Sequence, residues 1–259
     1  MSSSFQRLNL GITKCYLLAS SDGYLLIDTA YPGQFDRFAV ALRGLGVAMS
    51  EIGYLLLTHH HDDHAGFAAR LVAETGCNVI VHKNAVAPLS RGESASSMEP
   101  VNHCIRAAFS LFSLVHAGFT YPPLALSHQD TVVAGDTPGL LDDIGIDGEI
   151  LYTPGHSSDS ISVVLSDGSA FVGDAAMNFL NFCRIRYRPI FAENWGQVFQ
   201  SWSKLIDHGA TMIYPAHGDP FPSDRLERWR TVFASTEERL PLATAIAREA
   251  GGTWTQRAP

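Results

Sequence analysis

The chain reads as a mixed α/β protein, with helices packed outside sheets in two sheet-and-helix halves. Three observations predict this. In the first half, short apolar runs alternate with segments of helical periodicity. The second half returns to strand-like runs before ending in helix-like sequence. Over 259 residues the apolar fraction is 46% and the charged fraction 17%, which is enough apolar surface for one large core or two packed layers and too little charge for a disordered chain.

The elements follow in order. Residues 10–19 and 24–29 read as strands joined by a turn at Ser21-Asp22-Gly23. Residues 34–45 place Phe35, Phe38, Ala39, Leu42 and Leu45 at helical spacing, and Gly46 suits the helix end. Tyr54 to Leu57 is a buried strand that ends at Thr58. Residues 64–75 read as a helix, with Phe67, Ala68, Leu71 and Val72 on one side. Val79 to Val81 is a further buried strand.

Residues 84–128 break the rhythm. A small polar stretch, Ser90 to Ser97, precedes an apolar helix over about 101–117, and Tyr121-Pro122-Pro123 stops regular structure. The whole chain, 1–259, is expected to be one domain carrying this segment as a helical insertion or lid. Its residues Ile105, Phe109, Phe112, Leu114 and Val115 are expected to cover the core; a lid over the site or a homodimer contact is the alternative. Strands are expected at 149–153, 161–165, 170–173 and 211–214, with helices over 195–208 and 223–249.

A net charge of -8 argues against coating a nucleic-acid backbone. No run approaches the roughly 18–20 uninterrupted apolar residues of a membrane span. No apolar signal segment follows Met1. Cys15, Cys77, Cys104 and Cys183 are widely spaced and form no CxxC pair. They read as reduced, buried thiols in a cytoplasmic protein.

The chemistry concentrates in His59-His60-His61-Asp62-Asp63-His64. Residues i and i+2 of an extended segment point the same way, so His59 and His61 can share one metal. Asp63 and His64, where the chain turns toward a helix, can face a second. Imidazole with carboxylate suits zinc, iron or manganese. His156 in Thr153-Pro-Gly-His, Asp174 in Val172-Gly-Asp and His217 in Tyr214-Pro-Ala-His-Gly each follow a strand end. Singly each is weak, because a histidine in such a turn is more often structural. Together, and in this order, they are specific.

The pattern HxHxDH, followed by a histidine, an aspartate and a last histidine, resembles the metallo-β-lactamase superfamily over about residues 8 to 220. The resemblance implies an α+β fold, the four-layer αββα metallo-β-lactamase sandwich. It implies that His59, His61 and His156 hold one metal, that Asp63, His64 and His217 hold another, and that Asp174 bridges them. His60 and Asp62 fall at variable positions. Asp28 matches a position that commonly supports a ligating histidine from behind; a strand-end turn residue is its plain reading.

The implied cofactors are two divalent metal ions, zinc favoured, with iron or manganese compatible. Two such ions bring four positive charges against Asp63 and Asp174, and the five histidines must be neutral to ligate. The site is then net positive by two, and shared water loses a proton near neutral pH. The expected function is a metal-dependent hydrolase in which a metal-bridging hydroxide cleaves an ester, thioester, lactone or phosphodiester bond of a small-molecule substrate, with Asp63 and Asp174 as the catalytic carboxylates. The alternative is an iron-dependent oxidoreductase on the same fold, similar to the sulfur dioxygenases.

Family patterns narrow the substrate only a little. Secreted β-lactamases usually carry a different second-metal set. Glyoxalase II enzymes share all seven positions but have a long helical C-terminal region, and only a short segment follows His217 here. Lactonases usually have a tyrosine three residues after the bridging aspartate, where this chain has Met177. Arg184-Ile-Arg186-Tyr187-Arg188 could clamp an anionic substrate, or form a solvated face. Phe179, Phe182 and Trp195 could wall the site, though core packing is the plainer reading for each. His82, His103, His116, His128 and His208 read as structural.

Overall fold

The computed structural model describes residues 5–94, 98–112 and 119–237. The first half runs β1 (Phe5–Leu10), β2 (Thr13–Ser20), β3 (Gly23–Ile27), α1 (Phe35–Gly44), β4 (Ile52–Leu56), α2 (Ala68–Thr75) and β5 (Asn78–His82). The intervening segment holds α3 (Val86–Arg91), β6 (Glu99–Pro100), α4 (His103–Phe112), β7 (Thr131–Val133) and β8 (Thr137–Pro138). The second half adds β9 (Gly148–Tyr152), β10 (Ile161–Leu165), β11 (Ser169–Gly173), β12 (Phe191–Ala192), α5 (Trp195–Asp207), β13 (Met212–Pro215), β14 (Phe221–Pro222) and α6 (Asp224–Glu237).

Two six-stranded sheets carry the fold, ordered β1-β2-β3-β4-β5-β7 and β14-β13-β11-β10-β9-β8. The pairs β3–β4, β4–β5, β5–β7 and β11–β13 are parallel and the other neighbours within these sheets antiparallel. Alternation along the strands explains the layers. Leu17, Leu26 and Leu55 pack outward with Phe38 and Leu71 of α1 and α2. Their chain neighbours Leu18, Leu25 and Leu56 pack inward with Ile161, Val163 and Phe171 of the second sheet. On that sheet Val164, Ala170 and Val172 turn the other way, toward Val198 and Trp202 of α5. The result is the αββα sandwich. The strands look continuously apolar in sequence because both faces of each sheet are covered.

Several boundaries differ from expectation. The strand expected at 10–19 is β2, starting at Thr13, and β1 before it was not expected; Gly11, at φ 81, turns the chain between the two. Asp28 lies beyond β3 in the left-handed region, at φ 61. The helix expected from residue 64 starts at Ala68; residues 62–67 form turns instead. The short strand β7 was hidden within three residues, yet it completes the first sheet. In the 84–128 segment, Ile105 packs with Met177, Cys183 and Ile185, and Phe109 meets Phe191 at 4.6 Å between ring centroids. Leu114, Val115 and His116, the Phe112 side chain, and the part of the last helix beyond 237 lie outside the described residues.

The cysteine expectation fails for two of the four. Cys104 on α4 is disulfide-bonded to Cys183, 79 residues away, while Cys15 and Cys77 are free and buried. The pairing arises because α4 docks on the segment that follows β11, a contact that sequence spacing does not reveal. The cysteines therefore give no support to a reducing compartment. Among the described residues, no helix is long and apolar enough to cross a membrane.

Candidate metal centre

The sandwich brings four strand ends to one edge. His59, His61, Asp63 and His64 follow β4, His156 follows β9, Asp174 follows β11 and His217 follows β13. The first loop is tightly wound: His64 and Ala65 both donate backbone N–H groups to the His61 carbonyl. Gly173 is required just before Asp174. It sits at φ 51, and a Cβ there would lie 2.3 Å from Thr58 Oγ1. That close approach lets β11 deliver Asp174 against the β4 loop.

The seven residues form overlapping donor groups: His59, His61 and His156; His59, His64 and Asp174; and Asp63, His64 and His217. All are buried except Asp63, which is half-buried. In the first group, His59 Nε2 and His61 Nδ1 are 3.0 Å apart, and His156 Nε2 is 3.1 Å from each. Donors to a four-coordinate ion with bonds of about 2.0–2.1 Å sit roughly 3.3 Å apart. In the second group His217 Nε2 is 3.0 Å from Asp63 Oδ2, and His64 Nε2 is 3.7 Å from Asp63 Oδ1. Asp174 joins the two. Its Oδ1 is 3.4 Å from both His64 Nε2 and His217 Nε2, and its Oδ2 is 3.7 Å from His156 Nε2.

The groups behind the rings fix their tautomers. His64 Nδ1 donates to Asp28 Oδ2 at 2.8 Å, and Asp28 also accepts from the Thr58 backbone N–H and hydroxyl, each at 2.7 Å. His156 Nδ1 donates to the Phe191 carbonyl at 2.9 Å and His217 Nδ1 to the Ile12 carbonyl at 3.2 Å. His59 Nδ1 is 3.2 Å from the Thr58 hydroxyl. With Nδ1 donating, each ring in its neutral form presents an Nε2 lone pair inward. Two such lone pairs, on His59 and His156, face each other at hydrogen-bond distance with no proton between neutral rings. A cation resolves that repulsion. His64 Nε2 and Asp174 Oδ1 are buried and make no hydrogen bond, a further sign that the pocket suits an ion.

The electrostatics agree. Burial, then neighbouring histidines, holds His59 and His61 well below the usual imidazole range, and burial also lowers His156. These three are neutral and ready to ligate. Burial works against charge on Asp63 and Asp174 too, but His64 and His217 outweigh it. Asp63 is pulled down to about 2 and Asp174 further. Burial would lower His64 and His217, yet the carboxylates of Asp174, Asp63 and, for His64, Asp28 raise both.

Other singled-out residues lie elsewhere. His60 Nδ1 is 2.9 Å from the buried Asp159 carboxylate, and the Asp62 N–H donates to Ser94 Oγ. Arg186 lies over the Trp229 ring at 4.4 Å and Arg188 over Trp195 at 5.9 Å. His82 stacks on Tyr152 and His208 meets Glu149. Sequence reasoning missed Thr58 and Asp159. Thr58 immediately precedes the histidine run and Asp159 lies three residues past His156, so proximity to the motif was the available signal. Tyr31 was missed as well. Burial, and after it the carboxylates of Asp63, Asp62 and Asp174, push its phenol up.

Fold and site together define an αββα sandwich with clustered His and Asp donors, able to hold metal, at one edge. The sequence profile of the metallo-β-lactamase superfamily matches residues 8–217, and the chain belongs to that superfamily. The Drosophila melanogaster protein named beta-lactamase-like protein 2 homolog is 25% identical over 211 residues, which cover 80% of this chain and 59% of that protein. A hydroxyacylglutathione hydrolase of Rhodopseudomonas palustris is 26% identical over 73% of this chain and 57% of its own. The chain thus spans less than two thirds of the length of either. Among solved structures, a motif mutant of a Cronobacter sakazakii metallo-β-lactamase is similar with a TM-score of 0.63 at 20% identity, covering 92% of this chain and 94% of that one. A Thermus thermophilus family protein is similar with a TM-score of 0.63 at 21% identity, covering 91% and 81%.

Proposed function

We propose that the protein is a dinuclear metal-dependent hydrolase of small-molecule esters, thioesters, lactones or phosphodiesters. The observation that carries this reading is the placement of Asp174, whose two oxygens face two different groups of buried histidine donors. His59, His61 and His156 would hold one ion and Asp63, His64 and His217 the other, with Asp174 shared. When bound, the ions supply Lewis acidity and a water activated near neutral pH. Zinc suits the donors, and iron or manganese fits the same set. The chain's own part is positional. Asp28 and Thr58 orient His64 and His59, while Asp63 stands half-exposed at the mouth, able to hold a hydrogen bond to an incoming nucleophile or substrate. The similarity to a hydroxyacylglutathione hydrolase supports hydrolysis as the reaction type. The second donor group favours a two-metal hydrolase over a one-iron oxygenase, which would leave Asp63, His64 and His217 without a shared task.

Metal quantification of the purified protein, followed by an ester, thioester, lactone and phosphodiester panel, tests the reading. About two ions per chain and turnover of at least one class are expected. In Asp174→Ala, metal content and turnover are expected to fall together; full activity at unchanged metal content would sink the assignment. One iron per chain with a visible spectrum and no hydrolysis would favour the oxygenase.

A further inference from the structure

His60 and Asp62 alternate with the donors His59, His61 and Asp63 and belong to none of the donor groups. Both are nonetheless buried. Their hydrogen bonds show what these two spacers do.

Each polar backbone group of His60 is held by a different distant segment. Its N–H donates to Asp159 Oδ2 at 2.9 Å, and its carbonyl accepts from the Tyr121 hydroxyl. Asp159 lies in the turn between β9 and β10, three residues past His156. The start of β10 reaches the run once more, where the Ile161 N–H donates to the Thr58 carbonyl at 2.9 Å. These two bonds bracket His59. Tyr121 comes from the 84–128 insertion, where its own N–H donates to the Gly92 carbonyl at 3.0 Å. Its hydroxyl fixes the peptide that leads into His61. The insertion grips Asp62 as well: Ser94 Oγ accepts from the Asp62 N–H at 2.9 Å and donates to Asp62 Oδ1 at 3.3 Å.

Asp159 stands out among these groups because it is a carboxylate with 1% of its surface exposed. Burying a charge is costly unless close partners offset it. Its Oδ2 holds the His60 N–H and lies 2.9 Å from His60 Nδ1. What that oxygen holds still explains its place. It joins the loop of His156 to the loop of His59 and His61, the two loops that must meet to form the first donor group.

We propose that Asp159 and Tyr121 are positioning residues, gripping the His60 backbone from both sides so that His59, His61 and His156 converge before an ion arrives. In this role the 84–128 insertion is a brace for the ligand run. The inference deepens the dinuclear reading and rests on it.

The metal-free protein is titrated with cobalt(II). The paramagnetically shifted ring N–H signals of His59, His61 and His156 report the first ion separately from those of His64 and His217. Asp159→Ala is expected to weaken the first ion by about 10- to 100-fold, the usual loss for a group behind the ligands, and the second by less than about threefold. Asp159→Asn keeps an oxygen for the His60 N–H and is expected to bind within about threefold of wild type, while Tyr121→Phe, which removes one hydroxyl, loses about 2- to 10-fold. Before any metal is added, amide exchange at His60 is expected to quicken in Asp159→Ala. Equal weakening of both ions, or unchanged affinity for the first, overturns the inference. So does an Asp159→Asn as weak as Asp159→Ala, because the charge and not the grip would then be responsible. If circular dichroism shows that Asp159→Ala does not fold, Tyr121→Phe decides, and unchanged affinity for the first ion there overturns the inference. Wild-type protein that takes up no cobalt refutes the metal reading and the inference together. Two bound ions without turnover of any substrate refute only the hydrolase reading, and the variants still decide the grip.

Discussion

Asp28 illustrates how much one buried carboxylate organises. It accepts from Thr58 twice and from His64 once, and so fixes both the end of β4 and the tautomer of a metal-facing ring. Asparagine tolerates its left-handed backbone but turns an amide N–H₂ toward one of those donors. Asp28→Asn is expected to weaken metal affinity by about 10- to 100-fold. Competition with a chromophoric chelator measures this, and unchanged affinity would mean that Asp28 is merely a turn residue. Gly173 tests the close approach on the other side. Gly173→Ala forces a Cβ onto Thr58 at a positive φ. It is expected to destabilise the fold by about 1–3 kcal/mol or more, read as a lower urea midpoint at unchanged m-value.

At the scale of elements, the segment following β11 is held as firmly as a strand although little of it is regular. It pairs β12 with β6, packs Ile185 against Ile105, and is covalently tied to α4. It also delivers the Phe191 carbonyl that orients His156. Thiol titration of the denatured, unreduced protein is expected to find two free thiols of the four cysteines; four would refute the pairing. Cys104→Ser is expected to lose about 2–4 kcal/mol, the usual range for a cross-link of this kind, seen as a lower thermal midpoint that reductant does not depress further.

Across the whole molecule, the donors come from both sheets, so a bound ion ties the two halves of the sandwich together. Chelation is expected to lower the melting temperature, and added zinc to restore it, because an ion that binds only the folded chain stabilises it by mass action. A melting curve indifferent to chelator would show that the site holds no ion. Metal uptake also carries a proton signature. The raised pKa of His64 and of His217 means that these rings hold protons at a pH where ordinary histidines have begun to lose them. Ligation requires them neutral, so binding near pH 7 releases protons, and the release shrinks as pH rises through their folded values. Calorimetric titration in buffers of different ionisation enthalpy measures it; heats independent of buffer would contradict it.

The sequence by itself determined the scaffold and the donor types. Apolar runs marked most of the strands and helical periodicity marked α1 and α5, because burial on a sheet or a helix face leaves a local pattern. The ligand-type residues stood out because four fall in six positions and three more follow strand ends. Only the tertiary structure decided what distant residues do to one another. It turned Asp174 so that each oxygen meets a different group, set Asp28 and Thr58 behind the rings, joined Cys104 to Cys183, and put Phe182 outside the core. These outcomes rest on contacts between segments far apart in the chain. A strand's burial is written in its own residues, whereas a ring's tautomer, a disulfide or an exposed phenyl depends on which other segment arrives beside it.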